Sequence, residues 1–244
     1  MANKDQIMEN ILIAIDGTSG VGKGTLASGL AKKYNLQRLD SGAIYRASAI
    51  YLVNKKVDLN QLDTNATVLA QACELLQDLP LEFKDDELGV LQVYLDQENV
   101  TAELRLETTA ANASLIAKNQ EIRKALLERQ RKYAEQYSRL VVEGRDMGTV
   151  VFPEAKLKIF LDASPEAKAQ RRYRELVVRG EHAEMSKILE QLNQRDYQDK
   201  NRVVAPLVAA ADAICIDTTN LDIEQTLELV SEKVDAYLKE IGQL

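Results

Sequence analysis

The sequence predicts an α/β fold: a central five-stranded parallel sheet flanked by helices, with a small antiparallel β insert and a short lid. Three observations carry this reading. Five short apolar runs stand along the chain, most without polar interruption, as strands covered on both faces require. Helical patterns lie between several of them, the alternation that builds a parallel sheet. One stretch breaks the alternation with short strand-like segments separated by polar turns.

The first run, Ile11 to Ile15, leads through a glycine-rich loop into a helix from Thr25 to Tyr34, with Leu26, Leu30 and Tyr34 on one face. The second, Leu36 to Leu39, turns into a helix that Asp40 or Ser41 can cap. Leu81-Glu82-Phe83, Val90 to Leu95 and Val100 to Leu104 then read as a meander, the core of an insert over about 60–118. A helix carrying Ile122, Leu126 and Tyr133 precedes the third run, Leu140 to Val142. The fourth, Leu157 to Leu161, is followed by Ser164-Pro165, an N-cap and first-turn pair. From about Arg171 to Asn201 the chain is charged, with one glycine and no strand pattern, and reads as exposed helix and mobile loop, a lid over about 170–200. The last run, Ala213 to Ile216, precedes a helix with Ile223, Leu227, Val230, Val234, Leu238 and Ile241 at helical spacing. Residues 1–244 are expected to form one domain.

Composition excludes several classes of function. The chain is 45 % hydrophobic and 28 % charged, ordinary for a globular protein, and has no apolar run long enough to span a bilayer. Met1-Ala2-Asn3-Lys4-Asp5-Gln6 shows no signal-peptide pattern, so a cytoplasmic protein without membrane partners is expected. Cys73 and Cys215 lie too far apart for a metal or redox motif and are expected to be plain buried thiols. His182 is the only histidine and falls in a polar run, which leaves zinc chemistry and Ser-His catalysis without their parts. A net charge of −7 argues against a nucleic-acid backbone as partner, though not against a small phosphorylated ligand held by converging arginines. No heptad is readable, and a monomer is expected.

The decisive segment is Gly17-Thr18-Ser19-Gly20-Val21-Gly22-Lys23-Gly24-Thr25. Its spacing, between a strand and a helix, is that of a P-loop. Glycines let successive N–H groups turn toward phosphate oxygens, the helix N-terminus adds positive charge, and Lys23 reaches the β and γ phosphates. A nucleoside triphosphate is therefore the expected ligand. Gly24 stands where the magnesium-ligating hydroxyl usually does, so Mg²⁺ is expected to be held through ATP phosphates and water rather than by protein ligands. A GTPase would need an Asn-Lys-x-Asp guanine reader, and Asn54-Lys55-Lys56-Val57-Asp58 has the wrong spacing. A motor ATPase would need an apolar strand ending in acidic residues. Leu140-Val141-Val142-Glu143 matches in part but runs on into Gly144-Arg145-Asp146.

Three further segments carry a resemblance: Leu39-Asp40-Ser41-Gly42-Ala43-Ile44-Tyr45-Arg46, Glu143-Gly144-Arg145-Asp146-Met147-Gly148-Thr149-Val150-Val151-Phe152-Pro153, and Arg195-Asp196-Tyr197-Gln198-Asp199-Lys200-Asn201-Arg202 with Ala205-Pro206. Together with Ile15-Asp16-Gly17 and the Lys23-Gly24-Thr25 ending of the P-loop, they resemble the bacterial type of cytidylate kinase, a P-loop nucleoside monophosphate kinase, over nearly the whole chain. Thr18 departs from that family's usual proline and should leave the loop less rigid.

The resemblance implies an enzyme of pyrimidine nucleotide metabolism that transfers the ATP γ-phosphoryl group to CMP and also dCMP. It implies that Ser41, Tyr45 and Arg46 line the acceptor site, with Arg46 on the CMP phosphate. Arg145 would bind the acceptor phosphate, and Asp146 would contact the nucleotide or order its arginines. Ser114, Arg123 and Arg202 would surround the base, and Arg195 and Asp199 the sugar. Arg171, Arg172 and Arg174 open the lid segment, and one or two of them are expected to close over the phosphates. A kinase for UMP or AMP and an ATPase or switch module are the competing readings.

Overall fold

The computed structural model describes residues 10–85 and 91–243. The N-terminal hexapeptide and Val90, both read above, lie outside the described residues.

In chain order the elements are β1 (Ile11–Gly17), α1 (Lys23–Tyr34), β2 (Gln37–Asp40), α2 (Ser41–Asn54), α3 (Ala66–Gln77), β3 (Leu81–Asp85), β4 (Leu91–Leu95), β5 (Glu98–Asn99), α4 (Glu107–Ile116), α5 (Gln120–Glu135), β6 (Arg139–Gly144), β7 (Leu157–Asp162), α6 (Pro165–Val178), α7 (Met185–Asn201), β8 (Ile214–Asp217) and α8 (Ile223–Glu240). The chain divides into two compact units. One comprises residues through Leu39, Ala134–Lys200 and the chain from Leu207 on; the other comprises Asp40–Tyr133 and Asn201–Pro206.

The first unit is built on the expected five-stranded sheet, in the order β2-β6-β1-β7-β8. β1 pairs in parallel with β6 and β7, and β7 with β8, so β1 lies at the centre. Its Ile13, Ala14 and Ile15 have no exposure at all, which explains a run with no polar alternation. The core joins Ile13 and Ile15 to Leu26 and Leu30 of α1, Val141, Ile159 and Val234 and Leu238 of α8. Burying a side chain such as Leu30 contributes about 1.5–3 kcal/mol. α6 starts as expected at Ser164, whose hydroxyl accepts the Ala167 N–H. The charged block forms the hairpin of α6 and α7, with its own small apolar cluster of Ala169, Ile188 and Leu192.

Four expectations need correction in this unit and the next. Cys215 is exposed: β8 is an edge strand, its Ile216 turns to the core, and its neighbours alternate outward. Cys73 on α3 is half-buried. Ile223, read as part of the apolar stripe, is 59 % exposed because α8 begins there and buries its later turns instead.

The second unit packs α2 against α3 and α4 and carries the antiparallel sheet β3-β4-β5. The third strand is not Val100 to Leu104 but the two residues Glu98–Asn99. Asp96 and Gln97, both at positive φ, make a tight two-residue turn after β4. The Asn99 side chain then accepts the Thr101 N–H, and the Thr101 hydroxyl accepts the Val93 N–H. Beyond Asn99 one backbone bond remains, from the Val100 N–H to the Val93 carbonyl at 2.9 Å, the side-chain bonds take the other places of the ladder, and a 3-10 turn follows at Glu103–Arg105.

Candidate functional site

The loop after β1 is shaped by its glycines. A Cβ at Gly17, whose φ is +152°, would stand 2.1 Å from the Leu161 carbonyl oxygen of the neighbouring strand. Gly22 adopts φ +91° and caps α1, so the helix starts at Lys23. The first N–H groups of the helix have no intrahelical acceptor, and the N-cap side chain supplies none. They present the partial positive charge of a helix end to an anion.

Lys23 is buried with its ammonium folded back onto the loop, donating to the Gly17 carbonyl at 2.9 Å and the Thr18 carbonyl at 2.7 Å. Burial, and after it the Arg145 charge, lowers its pKa to about 7, against the pull of Glu143, Asp16 and Asp196. Thr18 donates its N–H to the Leu161 carbonyl at 3.3 Å and its hydroxyl to Asp162 at 2.7 Å. The looseness expected from losing proline is therefore opposed by a side-chain bond that proline cannot make.

Arg145 follows β6. Its Nε donates to Asp199 Oδ2 at 2.8 Å and its Nη2 to the Ser19 hydroxyl at 2.8 Å. Burial pulls its pKa down, but the charge and hydrogen bond of Asp199, with Asp196 and Asp16 behind, raise it overall. The guanidinium stays charged. Asp146 beside it is buried. Asp199 and Arg195 both lie on α7.

Several residues of this site were not picked out from the sequence. Asp16 accepts the Met147 and Gly148 N–H groups, each at 2.8 Å, and ties the end of β1 to the turn after β6. Burial and the charge of Asp146 raise its pKa, against those two bonds. Glu143 lies opposite Gly24: a Cβ there would be 3.5 Å from both carboxylate oxygens. Its place at the end of an apolar strand was the available signal. Asp196 accepts the Ser19 N–H at 2.8 Å and pairs with Lys168 at 2.5 Å; Asp196 falls in the Arg195-to-Arg202 segment quoted above, while no local pattern announces Lys168.

The three arginines of α6 differ from one another. Arg171 donates to the Thr218 hydroxyl at 3.1 Å and to the Thr218 and Leu221 carbonyls, which lashes α6 to the loop after β8. Arg172 pairs with Glu175 on its own helix at 3.0 Å, and Arg174 is exposed.

In the second unit Asp40, not Ser41, caps α2, accepting the Ala43 N–H at 2.8 Å. Ser41 and Tyr45 are buried, and Arg46 lies 3.6 Å from Asp40. The Arg123 guanidinium stands over the Tyr45 ring, 5.5 Å from its centroid, and donates to the Ala117 carbonyl at 3.3 Å. Ser114 is half-buried on α4, the helix packed against α2. Arg202 donates to the Ala205 carbonyl at 2.5 Å within the short segment that joins this unit. The structure thus brings Tyr45 onto Arg123 and Arg46 toward Asp40, while Arg202 bonds within its own short segment. Among the described residues no acidic, His or Cys cluster has three members placed to hold a metal ion, and no helix is long and apolar enough to cross a membrane.

A parallel sheet whose central strand runs through a glycine-rich loop into the N-terminus of a helix, with a buried lysine folded onto that loop and an arginine held beside it, is the architecture of a P-loop protein. The family model described as Cytidylate kinase matches residues 13–236. The cytidylate kinase of Dichelobacter nodosus is 45 % identical over 225 residues, covering 92 % of this chain and 95 % of that protein. That of Proteus mirabilis is 43 % identical over 230 residues, covering 94 % and 96 %, and that of Actinobacillus succinogenes is 42 % identical over 217 residues, covering 89 % and 95 %. The chain belongs to the cytidylate kinase family.

Proposed function

We infer that the chain transfers the γ-phosphoryl group of ATP to CMP, and to dCMP as well, giving ADP and the corresponding diphosphate. The observation that carries this is the pairing of a P-loop with Arg145, an always-charged fork held against Ser19 of that same loop.

ATP is assigned to the loop Gly17–Thr25, with Lys23 and the helix-end amides on its phosphates. Ser41, Tyr45, Arg46, Ser114, Arg123 and Arg202 are assigned to CMP, as are Arg145, Asp146, Arg195 and Asp199. The insert is assigned to acceptor binding and the α6–α7 hairpin to the lid, where Arg172 is better placed than Arg171 to swing onto phosphates, since Arg171 is fastened to Thr218 and Leu221. The chain is expected to act as a monomer in the cytoplasm.

The acceptor is already an oxyanion, so no strong general base is needed, and in-line transfer requires only alignment and charge stabilisation. Lys23 must leave the Gly17 and Thr18 carbonyls to reach the phosphates, whose negative charge favours its ammonium form against the burial that lowers its pKa. Mg²⁺ fits beside the cradle in one respect: the carboxylate of Glu143 faces Gly24, where the usual hydroxyl ligand is missing. Glu143 would hold the ion or its water, ATP oxygens would supply the remaining contacts, and the ion would neutralise charge on the phosphates.

The test is ADP formation from Mg·ATP with CMP, dCMP, UMP, AMP, GMP and no acceptor. Turnover with CMP and dCMP well above the rest is the expected result. Preference for another monophosphate would overturn the base-site assignment, and acceptor-independent turnover would overturn the kinase reading.

A further inference from the structure

Helix α7 reaches the P-loop through a carboxylate that has no place in phosphate binding. Asp196 is 6 % exposed. Its Oδ1 accepts the Ser19 backbone N–H at 2.8 Å, and its Oδ2 takes the Lys168 ammonium at 2.5 Å. On the other side of Ser19, the hydroxyl accepts Arg145 Nη2 at 2.8 Å, and Arg145 Nε returns to α7 at Asp199, also at 2.8 Å. Asp196 and Asp199 are three residues apart on one helix and so share a face. The hydrogen bonds close a circuit from α7 through Ser19 and Arg145 back to α7.

We propose that Asp196 is a positioning residue for phosphoryl transfer: by holding the main chain at Ser19 it sets where the P-loop presents Arg145. The loop before it is fixed by the sheet, through the Thr18 N–H on the Leu161 carbonyl. The loop after it is fixed by the start of α1 at Lys23. Ser19 stands between, and its amide is satisfied by α7, so it is not one of the donors left to a phosphate. Without that anchor the Ser19 peptide is free to rotate, and its hydroxyl no longer meets Arg145 in one place. The carboxylate is itself held: Lys168 is also buried, and withdrawing it would leave the buried Asp196 charge without its ion-pair partner. Lys168 further stands 3.5 Å from the Thr18 hydroxyl, so the same ammonium serves two consecutive loop residues.

This inference rests on the assignment of the P-loop and Arg145 to the phosphates, which the wild-type acceptor panel tests by itself. Position 196 is then varied in a Lys168→Met background, where no buried cation is stranded. There Asp196→Asn keeps an oxygen for the Ser19 N–H, and Asp196→Leu does not. The expected result is two variants with melting temperatures within a few degrees and similar KM values, the Leu form turning over on the order of a hundredfold more slowly, the scale of loss that misplacement by about an ångström brings. Equal kcat in the two folded variants would overturn the proposal. Should the Leu form not fold, Asp196→Glu in the otherwise wild-type chain keeps the ion pair and displaces the acceptor. Loss of hydrogen-exchange protection at the Ser19 amide together with at least about a tenfold fall in kcat supports the proposal, and normal kcat with an exchanging Ser19 amide overturns it.

Discussion

The Glu143 carboxylate faces Gly24 so closely that a methyl on that glycine would touch both of its oxygens, each at 3.5 Å. A hydroxyl one bond further out would reach that carboxylate. Gly24→Ser is therefore expected to fold and to shift the Mg²⁺ concentration that gives half-maximal turnover. Glu143→Gln is expected to lower kcat by about ten- to a hundredfold with little change in the CMP KM. A Mg²⁺ titration of both variants checks this, and an unaltered Mg²⁺ dependence in Glu143→Gln removes Glu143 from the ion's surroundings.

Lys23 gives a prediction in pH. Its folded pKa, near 7, lies below its unfolded value near 10.4. Between those values the unfolded chain binds the extra proton, so stability of the nucleotide-free protein rises with pH across that window. Lys23→Met should remove this part of the slope, seen as the difference between the two melting curves from pH 7 to 9. ATP restores the ammonium, so calorimetric titration at pH 8 in buffers of different ionisation enthalpy should show proton uptake in the wild type that is lost in the variant. Lys23→Ala should remain folded and lose at least about two orders of magnitude in turnover.

Thr18→Val removes the hydroxyl donated to Asp162 at 2.7 Å. Asp162 still accepts the Ala163 N–H at 2.9 Å, so the cost should be about 1 kcal/mol in denaturant unfolding. Thr18→Pro loses in addition the N–H held by the Leu161 carbonyl and should be the less stable of the two.

The stack of Arg123 on Tyr45 predicts a split in Michaelis constants. Tyr45→Leu should raise the CMP KM about tenfold and leave the ATP KM unchanged, while Tyr45→Phe, which keeps the ring face, should stay within about threefold of wild type. An ATP KM that rises in step would point to damage beyond the acceptor site.

The central strands were legible because they are buried on both faces, as the unbroken run from Ile11 to Ile15 shows. The P-loop was legible because its chemistry is local: nine consecutive residues make the cradle. Legibility failed where contacts are long-range or where side chains redirect the backbone. Asp196 meets Ser19 across 177 positions and Asp16 meets Met147 across 131, separations that no periodicity encodes. β5 stops at Asn99 because Asn99 and Thr101 hydrogen-bond the backbone themselves, in a stretch whose composition still suits a strand. Cys215 looked interior because the run around it is apolar, yet an edge position exposes alternate side chains of such a run.

The 2.1 Å approach at Gly17 also bears on how this chain can vary. The opposing atom is a main-chain oxygen fixed inside the sheet, so no rotamer change elsewhere makes room. A library randomised at position 17 should yield a single functional survivor. Gly22 also has a positive φ but nothing within 4 Å of its missing Cβ, so the same library should there recover asparagine and aspartate among weakened variants. The two glycines of one loop thus differ in kind: one position is closed to any side chain, and the other only disfavours them.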